Sequence, residues 1–399
     1  MNIRTTLGEI LDNFDSKRVP LNSRQRAERQ GHHPYYGAQG IIDHIDGFIF
    51  DGRYVLIPED GENLNSRKLP IAYFATGRFW VNNHAHIVRG RPNKLDDDYL
   101  CYWLNNSDIA GFVTGAAQPK LSQGSLNRIE INLPPLHLQK TIAAFLRAYD
   151  DLIENNTRRI AVLEEMARRI YEEWFVHFRA PGSETLPRIN TPLGPVPEGW
   201  EVVRLDQIAE VNPEQISPKY PPDQIAYIDI ASVSPGKIDQ VVAMPFAEAP
   251  GRARRIVRDG DTIWSSVRPN RRSYALVINP EPNWIASTGF AVLRPRGAFS
   301  TFLYFATTAE SFVSYLVGRA TGSAYPAVKA SDFEEAALVR PPNELLERFS
   351  DCVDPMVRLG ANLNRQNRNL RTQRDLLLPK LISGEIDVAE APAYLEAAE

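Results

Sequence analysis

From Leu146 to Trp174 the apolar positions fall into step. Leu146, Tyr149, Ile153, Asn156, Ile160, Leu163, Ala167, Ile170 and Trp174 alternate spacings of three and four without a slip. That is a heptad a/d seam held over four repeats, and it predicts a long helix with a partner along its stripe. Charges fill the outer faces, as in Arg158-Arg159 and Glu164-Glu165. Pro134-Pro135 fixes the entry, because proline suits the approach to a helix and not its interior, and Pro181-Gly182 closes it. About 37 residues at about 1.5 Å each make a rod of about 55 Å.

A second seam runs through Phe349, Val353, Met356, Gly360, Leu363, Asn367, Leu370 and Leu377, in a helix expected from about Asn343 to Leu381. It is the weaker of the two, with Gly360 and Arg374 at seam positions. Each seam holds one asparagine, Asn156 and Asn367. A buried seam asparagine sets register at a cost in stability; a solvent-facing one does neither. Neither stripe can be buried by its own helix, and the nearest partner is the other helix. Antiparallel pairing is expected, with one domain at each end of the rod and a pseudo-twofold axis across it.

Outside the helices the period shortens. Residues 1–133 read as a mixed α/β domain, with strand-like runs Phe48-Ile49-Phe50, Tyr54-Val55-Leu56-Ile57 and His86-Ile87-Val88. Asp46-Gly47, Asp51-Gly52 and Asp60-Gly61 are turn signals, and Asp97 to Phe112 reads as helix. A central helix (134–180), a Pro/Gly-rich linker (181–198), a second mixed domain (199–340), a C-terminal helix (341–384) and an acidic tail (385–399) complete an α+β organisation. The halves repeat. Thr114-Gly115-Ala116-Ala117-Gln118-Pro119 answers Thr321-Gly322-Ser323-Ala324-Tyr325-Pro326 at an offset of 207 residues, and Pro134-Pro135 answers Pro341-Pro342. This period is too long for a solenoid. Two related domains suit a partner with two related sites, and duplex DNA is such a partner.

Net charge is −4, unlike a typical DNA binder, but charge is local: seven Arg against two Asp lie between Arg252 and Arg272. The two cysteines, Cys101 and Cys352, are far apart, so neither a disulfide framework nor a zinc knuckle is expected. No apolar run is long enough to span a membrane, Met1-Asn2-Ile3-Arg4 does not open a signal peptide, and the cytosol fits. No GxxxxGK[ST] loop, no Asn/Asp-Pro-Pro-aromatic tetrapeptide and no GxSxG is present, so no catalysis is read from the chain. His84 and His86 could ligate a metal, but no third ligand has obvious spacing; a structural or DNA-facing role is expected and no metal site is assigned.

The chain resembles the specificity subunit of Type I restriction–modification enzymes. The resemblance rests on Leu376-Leu377-Leu378-Pro379-Lys380-Leu381-Ile382-Ser383-Gly384-Glu385-Ile386, on Ile170-Tyr171-Glu172-Glu173-Trp174-Phe175-Val176-His177-Phe178, on Pro197-Glu198-Gly199-Trp200 and on Pro134-Pro135-Leu136. It departs from the family where Glu-Gln is usual after Pro-Pro-Leu: here stand Leu138-Gln139. The resemblance implies two target recognition domains, each reading half of a bipartite, asymmetric site in double-stranded DNA. It implies helices that dock two methyltransferase subunits and, through them, motor–nuclease subunits. S-adenosylmethionine, ATP and Mg2+ would be used by those subunits and no cofactor by this chain. Trp174, Phe175, Leu378 and Leu381 are the expected docking residues.

DNA contacts are expected from forked or amide side chains on glycine-containing loops. In the first domain these are Tyr36 and Gln39, in the loop His33–Gly40, with Gln118 and Lys120. In the second they are Arg268, Asn270, Arg271, Arg272, Tyr325 and Lys329. Two other readings compete: an intrinsic methyltransferase or nuclease, and a coiled-coil scaffold with no DNA role.

Overall fold

A computed structural model describes residues 2–115, 118–183, 185–217 and 219–391. Ala116-Ala117 of the repeated segment and residues 392–399 of the acidic tail lie outside the described residues. The chain divides into two compact units: residues up to Asn155 together with those from Asn367 onward, and Asn156–Gln366. Both boundaries fall at the seam asparagines, so each long helix gives one half to each unit.

The first long helix is Leu136–Tyr171, continued by a π-helical turn at Glu172–Val176; the second is Asn343–Ser383. The second runs through Pro355 and Pro379, each lacking the N–H that would bond four residues back. In the first unit Ile142, Ala143 and Leu146 share a core with Leu377 and Leu381. Arg374, the charged seam residue, pairs with Asp150 at 2.5 Å, and the Asn367 amide donates to the Ile153 carbonyl at 3.4 Å. In the second unit Ala167, Tyr171 and Phe175 pack with Leu346, Phe349 and Val353. Within each unit the beginning of one helix lies with the end of the other, so the pairing is antiparallel. Asn156 and Asn367 are 7% and 2% exposed; both face inward, as register-setting residues do.

The first unit holds a six-stranded sheet in the order Leu11–Asn13, Ala85–Gly90, Phe50–Pro58, Tyr73–Val81, Gln30–Gly37, Gly40–Ile45. All pairings are antiparallel except Gln30–Gly37 with Tyr73–Val81, where Tyr35 and Tyr36 run parallel to Trp80 and Val81. The expected turn Asp51-Gly52 lies inside a strand instead, with Gly52 at φ 126° opposite Gly77 at φ 83°. Facing glycines there let the backbone depart from the ordinary β region without leaving the ladder. The expected loop His33–Gly40 is a β-hairpin turning at Ala38-Gln39.

The second unit divides the same plan between two four-stranded sheets. One is ordered Ala209–Val211, Phe290–Pro295, Thr262–Ser265, Tyr274–Leu276; the other Val242–Pro245, Gln224–Ile228, Trp284–Ser287, Ala253–Ile256. Tyr73–Val81 serves both an antiparallel and a parallel neighbour in the first unit. Here those two duties fall to the separate strands Tyr274–Leu276 and Trp284–Ser287. The expected linker is also structured: Arg188–Thr191 and Gly194–Pro197 form a hairpin, and Val196 is buried in the core with Trp200. No helix among the described residues is long and apolar enough to cross a membrane.

Candidate nucleic-acid interface

In each unit the repeated segment closes a tight turn against the end of a central strand. In the first, Thr114 and Lys120 exchange backbone hydrogen bonds at 2.8 and 2.7 Å, the Leu121 N–H donates to the Glu59 carbonyl at 2.8 Å, and the Gly61 N–H donates to the Pro119 carbonyl at 3.0 Å. In the second, Thr321 and Ala327 exchange bonds at 3.0 and 2.9 Å, Val328 donates to Ser266 at 2.9 Å, and Arg268 donates to Pro326 at 2.7 Å. Every partner is displaced by the same 207 residues. The repeat is therefore a conserved backbone device, built on Gly115 and Gly322 at φ 87° and 103°, where a side chain would be strained.

The side chains on this device differ. The first turn carries Gln118 and Lys120, both exposed. Gln39 belongs to the same corner: a Cβ added to Gly61 would lie 3.8 Å from its amide nitrogen. The neighbourhood is acidic. Lys120 pairs with Glu59 at 3.3 Å and His84 with Asp60 at 2.7 Å. Tyr36 does not reach this surface; its ring is buried edge-on against Phe79 at 5.5 Å, inside an aromatic cluster with Phe50 and Tyr54. A ring already buried among aromatic neighbours gains more from the core than from a ligand.

The second corner is cationic. Pro269–Arg271 forms a 3-10 turn flanked by Arg268 and Arg272, both in the left-handed region at φ 51° and 56°. Arg268 stands where the first unit has Gly61. Its guanidinium donates to the Ala324 carbonyl at 3.1 Å and sits 4.7 Å from the ring centre of Tyr325, which is 70% exposed. Arg272 is held by Glu310 at 2.7 and 2.9 Å. Asn270 and Arg271 are exposed at the tip; the Arg271 N–H donates to the Arg268 carbonyl at 2.8 Å, and its guanidinium meets no partner among the described residues. Lys329 caps the helix Ala330–Glu334, its N–H donating to Asp332 at 2.7 Å.

Beneath the first corner lies a charge cluster that sequence reasoning missed. Asp15, Glu59 and His86 bring one ligand atom each within 4.8 Å, which invites a metal. The donor set does not fit one. The His86 ring, 1% exposed, spends Nδ1 on Asp15 at 2.5 Å and Nε2 on the Leu121 carbonyl at 2.7 Å. A carbonyl only accepts, so Nε2 carries a proton and offers no lone pair. Glu59 is already answered by Arg18 at 2.8 Å and by Lys120. Burial pushes the Asp15 carboxyl up, but the hydrogen bond and charge of His86, the Ile87 N–H and Arg18 outweigh it and hold it below the ordinary range. Neighbouring positions in the sequence gave no hint of this, because Asp15, Glu59 and His86 come from three separate elements.

Of the expected docking residues, two are spent inside the chain. Phe175 is buried against Phe349 at 4.9 Å and Phe302 at 5.0 Å, and Leu381 is buried in the first core. Surface already removed from water cannot be buried again on a partner. Trp174 and Leu378 are half-buried beside these cores. The large apolar side chains left exposed on the two long helices are Leu152, Val162, Met166, Val176, Leu359 and Leu376. All six lie off the two seams, which was a legible signal.

A family model described as the Type I restriction modification DNA specificity domain matches residues 4–165. The Haemophilus influenzae relative S.HindORF215P is 36% identical over 143 residues, an alignment that spans 36% of this chain and only 36% of that protein. The MjaIX Type I restriction enzyme specificity subunit of Methanocaldococcus jannaschii is 25% identical over 352 residues, 83% of this chain and 78% of the relative. Among solved structures, the Type I restriction–modification S subunit from M. genitalium superposes with a TM-score of 0.64 at 14% identity over 96% of each chain, a likeness of fold.

Proposed function

We propose that the chain is a specificity subunit of the Type I restriction–modification kind, as the match to the specificity-domain model and the relative aligned over most of its length support, and that its two units read the two parts of a split, asymmetric site in double-stranded DNA. The observation that carries this reading is the duplicated turn. One backbone device, placed twice, presents Gln39, Gln118 and Lys120 in one unit and Asn270, Arg271 and Tyr325 in the other. Amides and guanidinium forks suit base edges, and cations suit phosphates. The chain serves as a recognition subunit without catalysis of its own. Methylation and cleavage, with S-adenosylmethionine, ATP and Mg2+, fall to two methyltransferase subunits and to motor–nuclease subunits. The exposed stripe Val162, Met166 and Val176, beside half-buried Trp174, suits docking of such a subunit. Neither an intrinsic nuclease nor a scaffold without DNA explains a repeated turn whose exposed side chains diverge while its backbone does not.

The test is a domain exchange. Replacing residues 199–340 with the second domain of a different specificity subunit should change one half of the recognised sequence, read from methylated sites in the host genome. A change in both halves, or in neither, overturns the reading.

A further inference from the structure

Among the described residues, the lattice of hydrogen bonds beneath the first turn has no counterpart in the second, and the ladder registers locate what replaces it. Ile57 faces His86 as Trp264 faces Ala291. The Phe14 N–H donates to the Ile87 carbonyl as the Asn212 N–H donates to Val292. The Ile87 N–H donates to Asp15 at 2.8 Å, and the Val292 N–H donates instead to Asn212 at 3.0 Å. The turn's own acceptor is Glu59 in one unit and Ser266 in the other. Thus His86, Asp15 and Glu59 stand where the second unit has Ala291, Pro213 and Ser266. The first turn is gripped from inside by charged, buried groups, and the second is not.

We propose that His86 is a positioning residue for DNA readout by the first unit: its ring ties the Leu121 carbonyl to Asp15, fixing the turn that presents Gln118. The proposal rests on the reading that the two turns face DNA. The geometry explains why a charged cluster is kept buried. His86 donates from Nε2 to the turn and from Nδ1 to Asp15, while Asp15 is held in turn by the Ile87 N–H, the Asn13 amide at 3.2 Å and Arg18 at 3.6 Å. Glu59 joins Arg18 to Lys120 on the turn itself. Each member's orientation is fixed by the next, which is how a rigid support keeps a reading group in place. Base discrimination depends on bond geometry, so a turn released by even a small amount loses selectivity before it loses affinity.

The experiment uses the full chain in complex with its methyltransferase partners and sequences the duplexes it retains from a random pool. Wild type should return a split motif. His86→Leu should flatten the first unit's half by about tenfold in preference and leave the other half intact, with some loss of thermal stability because buried Asp15 and the Leu121 carbonyl lose a partner. His86→Gln, whose amide still donates to the Leu121 carbonyl, should restore most of the preference. If His86→Leu fails to assemble, Glu59→Gln removes the negative charge that pairs with Arg18 and Lys120 with little change of shape and should flatten the same half. An unaltered first half in the variants that assemble, or equal blurring of both halves, overturns the proposal. No motif from wild type would instead sink the DNA-reading function itself.

Discussion

In the first unit the repeated turn is held from beneath, by His86 on the Leu121 carbonyl and by Glu59 on Lys120. In the second it is held from outside, by Arg268 lying over Tyr325 and donating to Ala324. The backbone bonds are the same in both, pair for pair. What the contrast teaches is that a duplicated fold keeps its hydrogen-bonded skeleton, because an unpaired buried backbone group is costly wherever it occurs. Side-chain supports are under no such constraint and can be rebuilt. The second unit has moved its buried charge elsewhere. Arg294 grips buried Asp261 with two bonds of 2.8 Å and also pairs with Glu214, which Arg258 holds at 2.6 and 2.7 Å.

The contrast can be broken most severely at that second cluster. Asp261→Ala leaves Arg294 without its bidentate partner in a largely buried setting and should destabilise the second unit by about 3–5 kcal/mol, seen as a lower urea midpoint. An unchanged midpoint would mean that the cluster does not support the second unit. Next in size, Arg268→Ala should free the second turn and blur the second unit's half of the motif by about tenfold, the mirror image of His86→Leu. Blurring of the first half would contradict the separation of the two supports. A smaller effect is expected at Arg271. Its removal should lower the slope of log affinity against log salt by about 1, whereas Lys120→Ala, whose ammonium is already paired with Glu59, should lower it less. Equal slopes for the two variants would erase the electrostatic difference between the corners.

The smallest effect is acidic. Arg258, then Arg294, outweigh the upward push of desolvation and draw Glu214 down to about 2, from an ordinary 4.5. A lowered folded value adds stability that is fully present above the unfolded value and is lost as pH falls through the folded one. Between about pH 4.5 and 2 the wild-type urea midpoint should therefore drop more than that of Glu214→Gln. Parallel curves would show that the pair is screened by solvent.

The seams, and with them the antiparallel helix pair, were legible because a three-and-four spacing repeats locally and needs no knowledge of the partner. The duplicated turn was legible for a related reason: Thr-Gly and Pro at fixed offsets mark a backbone conformation. Hairpins at His33–Gly40 and Arg188–Pro197 were not, since glycine and proline punctuate loops and hairpin turns alike. Tyr36, Phe175 and Leu381 were assigned to surfaces and lie in cores, because an aromatic or leucine has the same sequence signature whether its ring meets a ligand or Phe79.

By itself, then, the order of residues determined which helices form, which of their faces are apolar and that the halves repeat, all properties carried by spacing along the chain. Only the tertiary structure decided which apolar side chains remain for a partner and which groups hold each turn. Asp15, Glu59 and His86 meet across three elements, and burial depends on the distances that folding creates rather than on separation in sequence.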